Sequence, residues 1–165
     1  YRSTAFARGK RPYIVIADDF KKDNKMREYI WHAAFPKDFK TNLGAHELNG
    51  DTAILTDPKN PTQHMFVKMI GYQGEGEFVI EHVVPTGRSG KEPNTTKMPY
   101  SLKFKNQTDT AKFRVLLYAF KNGDPLPEVS GTDDNYTISI GDQKDLLKID
   151  KPVGKGSRLT FERQQ

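Results

Sequence analysis

PYIVIADDF, residues 12–20, decides how this chain must fold. Residues 13–17 read Tyr-Ile-Val-Ile-Ala, so both faces of the strand they form are apolar. A strand with one wet face alternates apolar and polar side chains. One without alternation must be covered on both sides or paired in the middle of a sheet. Phe113–Phe120, FRVLLYAF, repeats the pattern at greater length and reads as the strongest central strand.

Working outward, period-two alternation dominates. Ser3–Arg8 alternates weakly before a turn at Gly9-Lys10. Residues 29–35 put Tyr29, Trp31, Ala33 and Phe35 on one face and Ile30, His32 and Ala34 on the other. Asp51–Thr56, His64–Tyr72, Phe78–Val84, Tyr100–Phe104, Tyr136–Ile140 and Leu159–Phe161 add further strands. Gln73-Gly74-Glu75-Gly76 reads as a hairpin turn, and Asp57–Pro61 and Lys121–Pro127 as turns between strands. Gly87–Lys97 reads as an exposed polar loop. No window of twelve residues carries a clean helical stripe, and residues 143–149 offer one helical turn at most. The expectation is an all-β chain: an antiparallel β-sandwich of two packed sheets and about ten strands, with residues 1–165 as a single domain. Tyr13–Ala17 and Tyr29–Phe35 are expected to lie side by side in one sheet.

At 165 residues the chain can bury about 70% of its unfolded surface, so no covalent staple is required. There are no cysteines, which removes disulfides, thiol nucleophiles and cysteine-ligated zinc. No apolar run reaches the roughly 18 residues of a membrane-spanning helix. The chain opens without Met and enters strand-like sequence at once, so it is expected to be a fragment or a processed piece.

The net charge of +5 is concentrated at one end. Residues 1–27 hold eight Lys and Arg against three Asp, whereas residues 51–100 hold five against six. Such a local excess favours a polyanionic partner. The candidate binding residues are therefore Arg8, Lys10, Arg11, Lys21, Lys22 and Arg27, joined by His32, which points away from Trp31. Trp31 shares its face with Tyr29 and Phe35 and reads as a core anchor.

Catalytic patterns are sparse. His32, His46, His64 and His82 lack the spacing of a metal site, and each reads as structural, with His82 facing a core. Asp18 and Asp19 point to opposite faces and cannot flank one bond, so they are expected to cap the following turn. Gly87-Arg88-Ser89-Gly90-Lys91 fails as a phosphate loop, because Pro85 and Glu92 stand where Gly and Ser or Thr are needed. No Gly-x-Ser-x-Gly elbow occurs. Asn94, Asn106 and Asn135 head glycosylation-type tripeptides. No catalytic residue, metal ligand or cofactor is assigned.

Two of these stretches carry a resemblance. RSTAFARGKRPYIVIADDF at 2–20, followed by YIWHAAF at 29–35, resembles the C-terminal region of the heparinase II/III-like polysaccharide lyases, where a basic turn, a Val/Ile run and Asp-Asp lead into a strand with Trp and His. FRVLLYAFKNGDPLPEV at 113–129 resembles a late strand and turn of those chains, and Leu159–Arg163 resembles their final strand. The resemblance implies a parent enzyme with a helical toroid, a central β-domain and a smaller C-terminal β-domain, cleaving uronic-acid-containing polysaccharides by β-elimination. It also implies that the catalytic groups lie upstream of this chain and that the protein is periplasmic or secreted. The expected partners are an acidic polysaccharide, such as a glycosaminoglycan or alginate, and the upstream catalytic domains, with neither nucleic acid nor membrane. The alternative is an autonomous carbohydrate-binding module for acidic glycans. A compact jelly-roll lyase fits less well: Arg2-Ser3-Thr4-Ala5 lacks the Glu of that pattern, and Gln63-His64 lacks the intervening residue.

Overall fold

A computed structural model describes residues 1–34, 47–57, 59–82, 100–132, 134–151 and 156–164. The antiparallel β-sandwich expected from the sequence is what forms, with a third layer added. Thirteen strands are described: β1 (Arg2–Ala7), β2 (Tyr13–Phe20), β3 (Arg27–Ala34), β4 (Glu47–Asn49), β5 (Thr52–Asp57), β6 (Asn60–Gly71), β7 (Gly76–His82), β8 (Tyr100–Thr108), β9 (Ala111–Lys121), β10 (Glu128–Thr132), β11 (Asn135–Ile140), β12 (Gln143–Asp150) and β13 (Arg158–Gln164). They make a six-stranded sheet of order β1-β2-β9-β6-β5-β4, a four-stranded sheet β10-β11-β12-β13, and a three-stranded sheet β3-β8-β7.

The doubly apolar strands explain the layering. Tyr13, Val15 and Ala17 of β2, with Leu116 and Tyr118 of β9 and Phe66 of β6, pack against Tyr136, Ile138, Ile140, Leu147 and Ile149 of the four-stranded sheet. The alternate positions face the other way: Ile16, Val67, Met69, Phe113 and Val115 pack against Trp31, Phe78, Leu102 and Phe104 of the three-stranded sheet. The six-stranded sheet is thus the middle layer, and each face of β2 and β9 has its own core. Aromatic edges tie the second core together. Phe104 meets Phe78 at 5.0 Å and Phe113 at 6.2 Å between ring centroids, both near-perpendicular.

Several local expectations change. Tyr13–Ala17 and Tyr29–Phe35 are not neighbours. β2 pairs with β1 on one side and β9 on the other, while β3 pairs with β8 in a different layer. Both edges of β2 are taken, one by the hairpin through Gly9 and one by the equally apolar β9, so residues 21–26 carry the chain across to the next layer. Residues 73–76 are not a hairpin turn either, because β6 and β7 belong to different sheets. The crossing is held by the Asn106 side-chain amide, which donates to the carbonyls of Gln73 at 2.6 Å and Glu75 at 2.8 Å. Gly74 sits within it at φ 76°, in the left-handed region that favours glycine. Asn106 is buried, so the tripeptide it heads is closed to glycosylation in the folded chain; Asn135 is exposed. Residues 143–149 form strand, not a helical turn. Asn94, the last two residues of the Phe78–Val84 strand expectation and the Gly87–Lys97 loop lie outside the described residues.

Candidate functional site

β2 separates the predicted basic residues. Its eight residues span roughly 26 Å at about 3.3 Å per residue. Arg8, Lys10 and Arg11 lie at its start, Lys21 and Lys22 at its end with Arg27 across the following loop, and His32 on the exposed face of the three-stranded sheet. The seven residues therefore occupy three places.

At the first, the charges are spent on structure. Lys10 pairs with Asp142 at 2.7 Å, and Arg11 pairs with Asp124 at 3.5 Å. The Arg11 backbone exchanges two hydrogen bonds with the Gln143 side chain: its N–H donates to Oε1 at 3.0 Å, and its carbonyl accepts from Nε2 at 3.1 Å. Arg8 is exposed, and its carbonyl accepts from the Arg163 guanidinium at 2.6 Å. Beneath this turn Asp145 is buried and takes donors from Arg163 (2.8 Å), Gln143 (2.9 Å) and the Tyr13 hydroxyl (3.1 Å). Burial, then the Asp145 carboxylate, raise the Tyr13 phenol well above its ordinary range, so it stays a donor.

His32 stands opposite Lys103 on the outer face of the three-stranded sheet. There Glu81 receives Lys103 at 2.7 Å and also Lys105, and these two lysines hold its carboxyl down to about 2. His64 is structural, as its sequence context suggests. Its Nδ1 lies 3.0 Å from Thr56 Oγ1, its Nε2 lies 2.7 Å from Asn122 Oδ1, and its ring stacks on Phe120. His46 and the His82 side chain lie outside what is described.

The far end of β2 is chemically the richest. Asp18 and Asp19 do point to opposite faces, but neither caps the turn. Asp18, fully buried, accepts two hydrogen bonds of 2.7 Å from the Arg2 guanidinium, its cross-strand partner. Asp19 enters a network that joins the central sheet to the four-stranded one. It accepts from Arg114 at 3.0 Å, Lys151 at 2.6 Å and Ser157 at 2.8 Å. Arg114, with its side chain wholly buried, also donates to Asp134 at 2.7 Å, and Lys112 reaches the same carboxylate at 3.0 Å. The turn after β2 is closed instead by Asp23, whose Oδ1 accepts from the Lys25 N–H at 3.1 Å and from Arg27 Nε at 3.0 Å. Gly71 completes the fit: a β-carbon there would run into the Tyr136 hydroxyl and lie 2.9 Å from Arg114 Cγ.

Burial pushes the carboxyls of Asp19, Asp134 and Asp145 up, but their donors outweigh it. Lys151 and Arg114 hold Asp19 below its ordinary value, Arg114 and Lys112 do the same for Asp134, and Arg163 and Gln143 for Asp145. Groups depressed in the fold stabilise it fully above the unfolded carboxyl pKa of about 3.9, and that contribution drains away as pH falls toward their folded values. The urea midpoint is therefore expected to decline as the pH is taken from about 5 to 3, and Asp145→Asn is expected to flatten that decline. A midpoint that rises on acidification would contradict the assignment.

At this same end a hollow of about 440 Å³ is lined by Tyr1, Asp19, Phe20, Lys21, Thr110 and Lys151. Phe20 is 42% exposed there. Lys21 and Lys22 are exposed and neither ammonium forms an ion pair among the described residues, although Lys22 helps to lower the neighbouring Asp23 carboxyl, after Arg27 and the Lys25 N–H. Lys112, at the other side of the network, lines a second hollow of about 350 Å³ with Asp51, Tyr72, Gln73 and Tyr136. Among the described residues no group of three or more His, Asp or Glu side chains is placed to hold a metal ion. No protein-family model, curated protein or solved structure matches the chain. The site therefore has to be judged on its own chemistry.

Of the predicted residues, the structure brings Lys21 together with Phe20, Thr110 and Lys151, the last two of which charge counting in the first 27 residues could not reach. Arg114 did leave a signal. A lone arginine within FRVLLYAF, a segment apolar on both faces, has to be buried, and a buried guanidinium needs carboxylates. The adjacent Asp18 and Asp19 were the natural candidates.

Proposed function

We propose that this chain is a non-catalytic β-domain of a heparinase II/III-like polysaccharide lyase, working in the periplasm or outside the cell. It packs beside the domains that carry out β-elimination and lends lysines to the acidic polymer. One observation supports this above the rest: where the ionisable groups go. The buried carboxylates Asp18 and Asp145 are met by Arg2 and Arg163 on neighbouring strands of their own sheets, and the buried Arg114 reaches from the central sheet to Asp134 beside the four-stranded one, which is the work of a scaffold. Of the exposed lysines that form no ion pair among the described residues, Lys21 and Lys22 stand together at one end of the central sheet, with Lys25 in the loop that follows, while Lys121 and Lys144 lie apart from them.

The purified chain is expected to release no unsaturated uronate ends from heparin, hyaluronan or alginate, followed by ultraviolet absorbance. It is also expected to be retained on immobilised heparin or alginate at about 0.01 M salt and to elute by about 0.15 M, as screening shortens the reach of exposed charge. Robust eliminase activity, or passage through the column at the lower salt, would overturn the reading. A second reading, an autonomous module for acidic glycans, is favoured by the exposed ring of Phe20 beside Lys21.

A further inference from the structure

We infer that the hollow lined by Tyr1, Asp19, Phe20, Lys21, Thr110 and Lys151 is a subsite for one uronate residue of an acidic polysaccharide, an assignment that rests on the acidic-polymer reading above; the Asp19 carboxylate on its wall is already met by Arg114 and Ser157. The carboxylate lies against the Lys21 and Lys151 ammoniums, the sugar's C–H face covers the Phe20 ring, and a hydroxyl meets Thr110.

Charge is the first argument. The buried network holds three cations, Arg114, Lys112 and Lys151, against two carboxylates, Asp19 and Asp134, and so keeps one positive charge in excess. Lys151 is the member of that network that both opens onto the hollow and is half exposed. Its partner Asp19 is already supplied by Arg114 and Ser157, so Lys151 can share itself with a second anion without leaving Asp19 bare. Lys21 adds a further cation on the same wall, with no carboxylate partner among the described residues. Low-dielectric walls concentrate the field of such an excess at the concavity.

Shape is the second. About 440 Å³ falls within the roughly 300–1,000 Å³ usual for small-ligand sites, where a few polar groups fix orientation against an apolar wall. Phe20 supplies that wall, and an aromatic left 42% exposed between two lysines has no packing role that demands the exposure. At the opposite end of β2 the cations Lys10 and Arg11 are already met by Asp142 and Asp124.

The test is a titration of the isotope-labelled chain, read by amide shifts, with an alginate-derived tetrasaccharide, its carboxyl-reduced counterpart, and inorganic sulfate at equal ionic strength. The acidic tetrasaccharide is expected to move the amides of Phe20, Lys21, Thr110 and Lys151, and carboxyl reduction to weaken binding at least about tenfold. Lys21→Glu should weaken it about tenfold, a two-unit charge change a few ångströms from the carboxylate. Lys144→Glu, the same charge change on the exposed side of β12, should cost less than about twofold. Phe20→Ala should cost several-fold; native amide dispersion in both hollow variants shows that they fold. Equal losses in the two charge variants, equal binding of the reduced sugar, or sulfate producing the same shifts as tightly would each overturn the subsite. Shifts centred on Lys10 and Arg11 would overturn it while leaving the acidic-polymer reading standing. Failure to bind the acidic tetrasaccharide anywhere would overturn both.

Discussion

Arg114→Ala is expected to be the most damaging single substitution outside the apolar core, costing about 3–5 kcal/mol of folding stability. The side chain is wholly buried and supplies donors to Asp19, to Asp134 and to the carbonyls of Asp18 and Phe113, the last two at 3.1 Å. Burial works against its charge, but the carboxylates of Asp134 and Asp19 more than compensate and raise its pKa further. Removing it leaves two partly buried carboxylates short of a partner, and the cost is mainly theirs. At a urea dependence of about 2 kcal/mol per molar, the midpoint should fall by about 2 M. If that reasoning is right, Arg114→Met combined with Asp19→Asn and Asp134→Asn should recover part of the loss, because no carboxylate is then left without its guanidinium, while Lys112 and Lys151, each partly exposed, lose a partner and keep the recovery incomplete. A drop below about 1 kcal/mol for Arg114→Ala, or a triple variant weaker than the single one, would show that the network does not staple the two sheets.

This network also marks where the sequence stopped being readable. That β2 and β9 lie centrally and are covered was legible, because both are apolar on both faces and such strands have few places to go. The third layer was not, since nothing in residues 29–35 or 100–104 says which sheet they join. β12 was missed for a specific reason. Its inward positions are Gln143, Asp145, Leu147 and Ile149, so half of its buried face is polar, and the adjacent Leu146-Leu147 breaks the alternation. Those polar residues go inward because the Arg11 backbone and Tyr13, each 132 residues away along the chain, are waiting there together with Arg163 of the neighbouring strand. The same limit governed the candidate site. Charge counting found Lys21, but Thr110 and Lys151 join it only through sheet packing, about 90 and 130 residues later in the sequence.

Trp31→Ala should cost a comparable amount, about 3–5 kcal/mol, because the ring fills the second core with only 4% of its surface exposed. It meets Phe78 edge-on at 6.4 Å and stands across from Phe104 in the β3–β8 ladder. A ring this deep has no face to offer a sugar, so the substitution should act on folding rather than on glycan binding at the far end of β2. The ring carries one defect: its Nε1 proton is buried with no acceptor among the described residues. An unmet buried donor costs about 1–3 kcal/mol. Trp31→Phe keeps much of the ring, loses some volume and removes that donor, so the two terms oppose each other and the net change should stay within about 1.5 kcal/mol. Urea midpoints of the two variants separate the contributions. If Trp31→Phe proves as damaging as Trp31→Ala, the indole nitrogen must be engaged in the folded chain, and the three-stranded sheet is held by more than the fit of its aromatic rings.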